Sequence, residues 1–569
     1  MAVAVLLPAF FVSCTKSGAL TGSPTSSGFS ANSMTGSVNG GLSSVANATV
    51  ALMAAGSNVP LTNATTASDG SFSLVFNNPG GNNLLYLSIT GGNAGGGTNS
   101  KNQFLAIAGT TSALLPSLRV NELTTAATEF IAFNFGILND NNGSVALNAP
   151  GNGFGATNVV TQYNNIINSG ALNTTNANLT SSAQTALKVL ANAFASCIQS
   201  PSSCSTLLNV SISSASAAAL SVLESGVNAL YNSSLDASHI YPIASSLSSS
   251  TGFTLASSTI PNSFSFNNPL AATINTIGSG TTPQGLAVDA SGNIWVTNSG
   301  SNNVSQLSPS GALLGTFSTG SGDCCLAIDA SGNVWIANAG AGTVTELNSS
   351  GALVGTITVG TTPVPVAVDQ SGNVWVGNRG SNSVTELNSS GQTVATYPSI
   401  NSPQGIAIDG SGNVWIASLN GNTVIELNSA GTVLGTFSSG TFPQAVAIDS
   451  SGNIYVTNSG GTVAKFSSLG VRIATYSITG SPVGETFDAG GNLWIATGTG
   501  NALAEFNPAA GMVIATYPLA TNNATALCID LNGNVWVANL NGNNLIQVAG
   551  VTSGPEFFAD KGPVFPYSR

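Results

Sequence analysis

The chain has 569 residues, enough for about three to five domains. Only 5% of them are charged, against ~25% in ordinary soluble domains, and nine Lys and Arg against 21 Asp and Glu leave a net charge of −12. The 42% apolar content excludes a disordered chain, the gap in Lys and Arg between Lys188 and Arg379 excludes a nucleic-acid surface, and the single histidine, His239, excludes chemistry built on several imidazoles.

Asn, Ser, Thr and Gly must supply the polar surface. A surface with so few titrating groups is expected to respond little to pH or salt. At the N-terminus, residues 2–12 (AVAVLLPAFFV) are apolar, shorter than the ~20 residues of a membrane span but of the length of a secretion-signal core. Phe11-Val12-Ser13-Cys14 resembles a bacterial lipobox, which implies Cys14 as the lipid acceptor. Residues 15–33, rich in Gly, Ser and Thr, read as a tether. The expected location is extracytoplasmic, secreted or anchored at a bacterial envelope, with membrane contact only through that lipid.

Residues 34–112 carry strand signals: Ala48 to Leu52 alternates, Asp69-Gly70 makes a turn before Ser71-Phe72-Ser73-Leu74, and Leu84 to Ile89 follows. This run resembles the carboxypeptidase-regulatory-like, or prealbumin-like, β-sandwich family, which implies a spacer or adhesion module without catalysis. Residues 113–255 change to a helical period at Val120 to Leu138, Ala156 to Ile167, Ser182 to Ile198 and Ser213 to Leu230. Glu122 and Glu129 share a helix face and read as solvated residues, and His239 as a surface or packing residue. Cys197 and Cys204, separated by IQSPSS, are expected to form a local disulfide in an oxidising compartment. Cys324-Cys325 has no neighbouring His or Cys to complete a zinc set, so no metal site is expected.

Residues 272–550 are a repeat. Its anchors are Asp289, Asp329, Asp369, Asp409, Asp449, Asp488 and Asp530, spaced by 40, 40, 40, 40, 39 and 42 residues. A Gly stands three residues after each Asp, an Asn next, and an aromatic two further on: Trp295, Trp335, Trp375, Trp415, Tyr455, Trp494 and Trp536. Each unit has room for four short strands, the arithmetic of a β-propeller blade. The expected fold is multidomain and mainly β: a small β-sandwich, a helical segment, a seven-bladed propeller, and a tail at 551–569. The run Ala272 to Ile277 looks like a strand that completes the last blade and removes an open edge.

The repeat, carried by Pro283-Gln284-Gly285-Leu286-Ala287-Val288-Asp289 and Gly292-Asn293-Ile294-Trp295-Val296 with their copies, resembles NHL-repeat and virginiamycin B lyase-like propellers. The lyase resemblance implies a catalytic His with acidic residues and Mg²⁺. No His lies in this propeller, so that reaction loses its central group and no cofactor is expected. Four glutamates, Glu346, Glu386, Glu426 and Glu505, recur at one position and read as structural. The residues that break the repeat are more informative: Asp323 with Cys324 and Cys325, Arg379 as the lone cation of the third unit, and Glu485 where other units are apolar. They are expected on the face made by the loops before the first strands and after the second strands. Gln284, Gln404, Gln444, Asn298, Asn338, Asn378, Asn458 and Asn539 would ring that face and suit a hydroxyl-rich or peptide ligand. The expected function is therefore non-catalytic binding or scaffolding of a glycan, peptide or partner protein. The alternatives are a lyase or hydrolase at the same face and a passive surface spacer.

Overall fold

The computed structural model describes residues 31–172 and 273–563, apart from breaks at 41–42, 95–102, 116, 136, 142–143, 151–152, 169–170, 520–522, 553–556 and 559–561. Cys14, Cys197, Cys204, His239 and the stretches expected to be helical at 182–198 and 213–230 lie outside the described residues.

Two sheets face each other in the N-terminal unit. In Ser71–Asn77, Phe72, Leu74 and Phe76 point inward while their neighbours face solvent, the period of two that a half-buried strand requires. This strand pairs with Ala31–Gly40, which also pairs in parallel with Ser117–Val120. The second sheet runs in the order Thr62–Thr65, Ala46–Ala54, Leu84–Asn93, Gln103–Thr110, Ala113–Leu114. Val50, Leu52, Leu87 and Phe104 from it share one core with Phe72, Leu74 and Phe76.

The opposite face of the second sheet is covered by two helices, α1 (Glu122–Asn134) and α2 (Gly153–Ile166). Tyr86, Leu105 and Ile107 pack with Ala127, Ile131, Val159 and Tyr163. The start of α1 is capped reciprocally: Thr124 N–H donates to Asn121 Oδ1 at 3.0 Å, and Asn121 N–H to Thr124 Oγ1 at 2.9 Å. The boundary expected at residue 112 therefore falls inside one unit. Ser117–Val120 belongs to the first sheet, and the helices complete the burial of the second.

From Thr273 to Ala549 the described residues form seven four-stranded antiparallel sheets, the pattern of a β-propeller. In the first of them the strands are Pro283–Val288, Ile294–Asn298, Asn303–Leu307 and Leu313–Ser318. The first strands of successive sheets pack side by side, and that of the seventh packs on that of the first. The seventh sheet takes its outer strand from the start of the repeat region: Thr273–Gly278 pairs with Asn544–Ala549, Thr273 opposite Ala549. This is the closing strand that the sequence places there.

One turn is built seven times. Asp289 Oδ1 accepts the N–H groups of Ser291 and Asn293, both at 2.9 Å, and its Oδ2 accepts Asn293 Nδ2 and Trp295 Nε1, both at 3.0 Å. Gly292 sits between them at φ 82°, a conformation in which a Cβ would be strained. The indole that Asp positions is fully buried and wedges between sheets. Trp295 shares a core with Leu326, Val334 and Ile336 of the second sheet, and Trp536 with Leu286, Val288 and Val296 of the first. Trp375 also stacks on Tyr397 of its own outer strand at 5.6 Å.

The N-terminal unit docks where this turn recurs for the last time. Asn158 of α2 donates through Nδ2 to Asn532 O at 2.9 Å and Thr552 O at 3.2 Å, and Gln162 Nε2 reaches Gly550 O at 3.4 Å. Val551, Ile514 and Tyr517 join the helices in one core. The contact lies at the turn end of the ring, opposite the loops that lead into the first strands.

Asp369→Ala removes two backbone and two side-chain acceptances at once and is expected to lower the unfolding free energy by about 2–4 kcal/mol. Trp375→Phe keeps the stacking and loses one hydrogen bond, so about 1 kcal/mol is expected, both read from urea unfolding midpoints.

Candidate functional site

The loops leading into the first strands and the turns after the second strands meet at one end of the ring. Ser299 N–H donates to Thr282 O at 3.1 Å, Ala339 N–H to Gly322 O at 2.9 Å, and Arg379 N–H to Thr362 O at 3.0 Å. Adjacent sheets are clasped here by residues the sequence analysis passed over. Asn302, Asn382, Asn422 and Asn543 adopt φ of 52° to 54°, tolerated by Asn better than by most residues. Their Oδ1 atoms accept the N–H of Gly322, Ser402, Phe442 and Thr282 in the following sheet, at 2.8, 2.9, 2.9 and 2.7 Å. The last of these carries the clasp from the seventh sheet to the first. The signal was an Asn two residues before the buried Val or Leu of the third strand, a place where the second and fifth units carry Gly342 and Gly461 instead.

The five asparagines expected to ring the face are buried, and their amides are turned into their own sheets. Nδ2 of Asn298 donates to Asn303 Oδ1 and Ser305 Oγ, both at 3.0 Å; Asn338 donates to Thr345 Oγ1 at 2.8 Å and Asn378 to Thr385 Oγ1 at 2.9 Å. Asn458 reaches Thr462 Oγ1 at 3.3 Å and Asn539 reaches Asn544 Oδ1 at 3.0 Å. Their position is a strand end whose loop backbone needs partners, and a short amide satisfies it. Asn338 and Asn378, for instance, accept the N–H of Gly320 and Gly360 at 3.1 and 3.0 Å.

The glutamines bridge neighbouring elements. Gln284 donates to Ser299 Oγ at 2.7 Å and accepts from Cys324 Sγ of the second sheet at 3.3 Å. Gln444 donates to Ser459 Oγ at 3.2 Å. Gln404 is buried and accepts from Arg379 Nη1 at 3.4 Å, while Arg379 itself is exposed. The structure thus brings together Gln284 with Cys324 and Arg379 with Gln404.

Asp323 and Glu485 are placed apart, in the second and sixth sheets, and both are buried. Each reaches back to the preceding sheet for a backbone donor. Asp323 Oδ2 accepts Asn298 N–H at 3.1 Å, and Glu485 Oε1 accepts Thr457 N–H at 3.2 Å. The second oxygen of each carboxyl has no hydrogen bond. Burial lifts Asp323 to about 7 and Glu485 well above the usual carboxylate range, in both cases against the backbone hydrogen bond, which favours the charged form. The recurring glutamates lie beside the Asp turns. Glu386 accepts Tyr397 O–H at 2.7 Å, and Glu505 accepts Asn492 Nδ2 at 3.0 Å. Glu505 is raised well above its ordinary value by burial and then by Asp488, which burial lifts to about 7.

Mg²⁺ needs a near-octahedral set of oxygens, usually including one or two carboxylates open to the ion. No group of three His, Cys, Asp or Glu side chains among the described residues converges to hold a metal. The two carboxylates that break the repeat are buried and aimed at backbone N–H groups of different sheets. Among the described residues the donor set does not fit a Mg²⁺ centre.

Residues 314–557 match the model of the virginiamycin B lyase family. No curated protein matches the chain. Among solved structures, a streptogramin B lyase is similar at 16% identity and a TM-score of 0.45, over 49% of this chain and 97% of that one. A selenomethionine-substituted virginiamycin B lyase from Staphylococcus aureus is similar at 17% identity and a TM-score of 0.45, over 49% of this chain and 99% of that one. The matched family thus supports the propeller-like region and leaves the N-terminal unit unmatched.

The buried acids change the expected response to pH. A carboxyl whose folded pKa is raised holds more protons when folded than when unfolded, so its stabilising contribution is full below its unfolded pKa and declines as pH rises through the folded value. For Asp323 and Asp488 that window runs from about 4 to about 7, and Glu485 and Glu505 extend it upward. The unfolding temperature should be highest near pH 4–5 and fall toward pH 8, with a smaller fall in Glu485→Gln; thermal scans across that range check it.

Proposed function

We propose that this is a non-catalytic, extracytoplasmic binding or scaffolding protein. In this reading residues 31–172 are a helix-backed β-sandwich, residues 273–549 a seven-bladed propeller, and Cys14 a lipid anchor to a bacterial envelope. The face formed by the loops before the first strands recognises a glycan, peptide or partner protein. The observation that carries this is the orientation of the groups that break the repeat. Asp323 and Glu485 are turned inward onto backbone donors, whereas Arg379 stands exposed, steadied by Gln404. An exposed guanidinium at this end of the ring suits a polar ligand with an acidic or multiply accepting group. Among the described residues the N-terminal unit docks at the opposite end of the ring.

A second reading, a lyase acting on a type B streptogramin, is favoured by the family match at residues 314–557. Against it stands the sequence itself, whose single histidine, His239, lies outside the repeats.

The test uses the full chain, immobilised, on a glycan array and against envelope extracts, beside Arg379→Ala. Specific capture that falls about tenfold or more in the variant supports the reading. No capture by folded protein overturns it in favour of a spacer. Incubation with a type B streptogramin and Mg²⁺ is expected to leave the ring intact by mass spectrometry; a linearised product would establish the lyase instead.

A further inference from the structure

The repeat is broken most sharply at Asp323-Cys324-Cys325, where the first and fourth units carry Pro-Gln-Gly. We propose that Cys324 and Cys325 are a redox-active vicinal dithiol that closes to a disulfide by exchange with small-molecule disulfides.

Adjacent residues of a regular strand point to opposite faces, so neighbouring cysteines there are held apart. Here the pairing slips: Asp323 faces Asn338, but Leu326 faces Ile336, so the first strand carries one extra residue. That is a β-bulge, and it falls on the two cysteines. It brings both sulfurs to one side, with Sγ to Sγ at 3.3 Å. The same slip occurs at the equivalent place in the first and third sheets, between Pro283 and Leu286 and between Pro363 and Val366. The bulge therefore belongs to the fold, and the cysteines occupy a backbone already shaped to join them.

Both residues are thiols, and they differ in access. Cys325 is fully buried, whereas Cys324 is 7% exposed and directs Sγ toward Gln284 Oε1 at the rim. This assigns the steps. The Cys324 thiolate attacks one sulfur of a small disulfide RSSR. The S–S bond of RSSR breaks, a Cys324–SR bond forms, and RS⁻ leaves and takes up the proton that Cys324 gave. The Cys325 thiolate then attacks Cys324 Sγ. The Cys324–Cys325 bond forms and the second RS⁻ leaves with the proton from Cys325. Two thiols are oxidised, one small disulfide is reduced to two RSH, and the exchange needs no other reactant. The second step is intramolecular, from a thiol whose sulfur already lies 3.3 Å from Cys324 Sγ. Closure also removes the S–H that Cys324 offers to Gln284, one of several links between the first and second sheets at the rim. The site does not depend on what the face binds.

The full chain is treated with oxidised glutathione, alkylated and digested, and the peptide containing residues 324–325 is weighed, which separates this pair from the other four cysteines. The expected result is a peptide that lacks two hydrogens, resists alkylation and is restored by dithiothreitol. Phenylarsine oxide, which bridges two close thiols, should be retained by the reduced chain and lost after oxidation. Cys325→Ser should trap glutathione on Cys324, while Cys324→Ser should leave Cys325 unmodified. Two alkylated thiols, or a stable glutathione adduct on the wild-type peptide, would overturn the proposal, and neither reading requires a variant to fold.

Discussion

Each sheet of the ring depends on one carboxylate that does two jobs. With one oxygen the turn Asp holds backbone N–H groups of the tight turn, and in six sheets its other oxygen holds an indole N–H. The first bond fixes where the second strand begins. The second lets a large apolar ring be buried without an orphaned donor and sets the angle at which it meets the next sheet. A local turn thereby becomes an inter-sheet contact. The fifth sheet shows the alternative: Tyr455 fills the same place, packs edge-on against Phe487 at 5.1 Å, and leaves its hydroxyl without a hydrogen bond.

Closure of the ring uses every layer of this scheme. The strand Thr273–Gly278 seals the outer edge of the seventh sheet, Trp536 packs into the first, and the Asn543 clasp joins their loops. Without the closing strand, Asn544–Ala549 would be an unpaired edge. The N-terminal unit then adds a second constraint by placing α2 against the last Asp turn. The two ends of the ring become unlike: the Asp-turn end meets helix α2, and the other is made by the loops that lead into the first strands.

Several of the few acids of this protein are buried, among them Asp323, Glu485, Asp488 and Glu505. Composition alone points to a small response to pH, whereas the buried acids give the interior a dependence on pH that composition conceals. Counting acids gives the charge of the unfolded chain. Their pKa values depend on which of them lose water, and that is decided by packing.

The repeat period, the Asp-Gly-Asn turn and the aromatic that follows were legible in sequence because each rests on contacts within some ten residues. Gly is needed at positive φ, Asp at the turn, and an aromatic at a fixed distance from it, so the four-stranded unit and even its closing strand could be placed without coordinates. The candidate site was legible only as a set of departures. Asp323, Arg379 and Glu485 stand out in the alignment of units, but a departure does not reveal its direction. Arg379 faces solvent because it stands in the turn just after Val374–Asn378 of the third sheet, whereas Glu485 faces the preceding sheet because it lies in the middle of Pro482–Phe487 of the sixth. The asparagines that were expected at the rim are instead its internal fastenings, a role set by loops 20 or so residues away. The docking of α2 on Asn532 and the burial of the acids are likewise contacts made across turns, sheets or units, and the meeting of Cys324 with Cys325 depends on the register of their strand against the next. Local sequence fixes the shape of each unit, whereas side-chain exposure depends on what the neighbouring units cover.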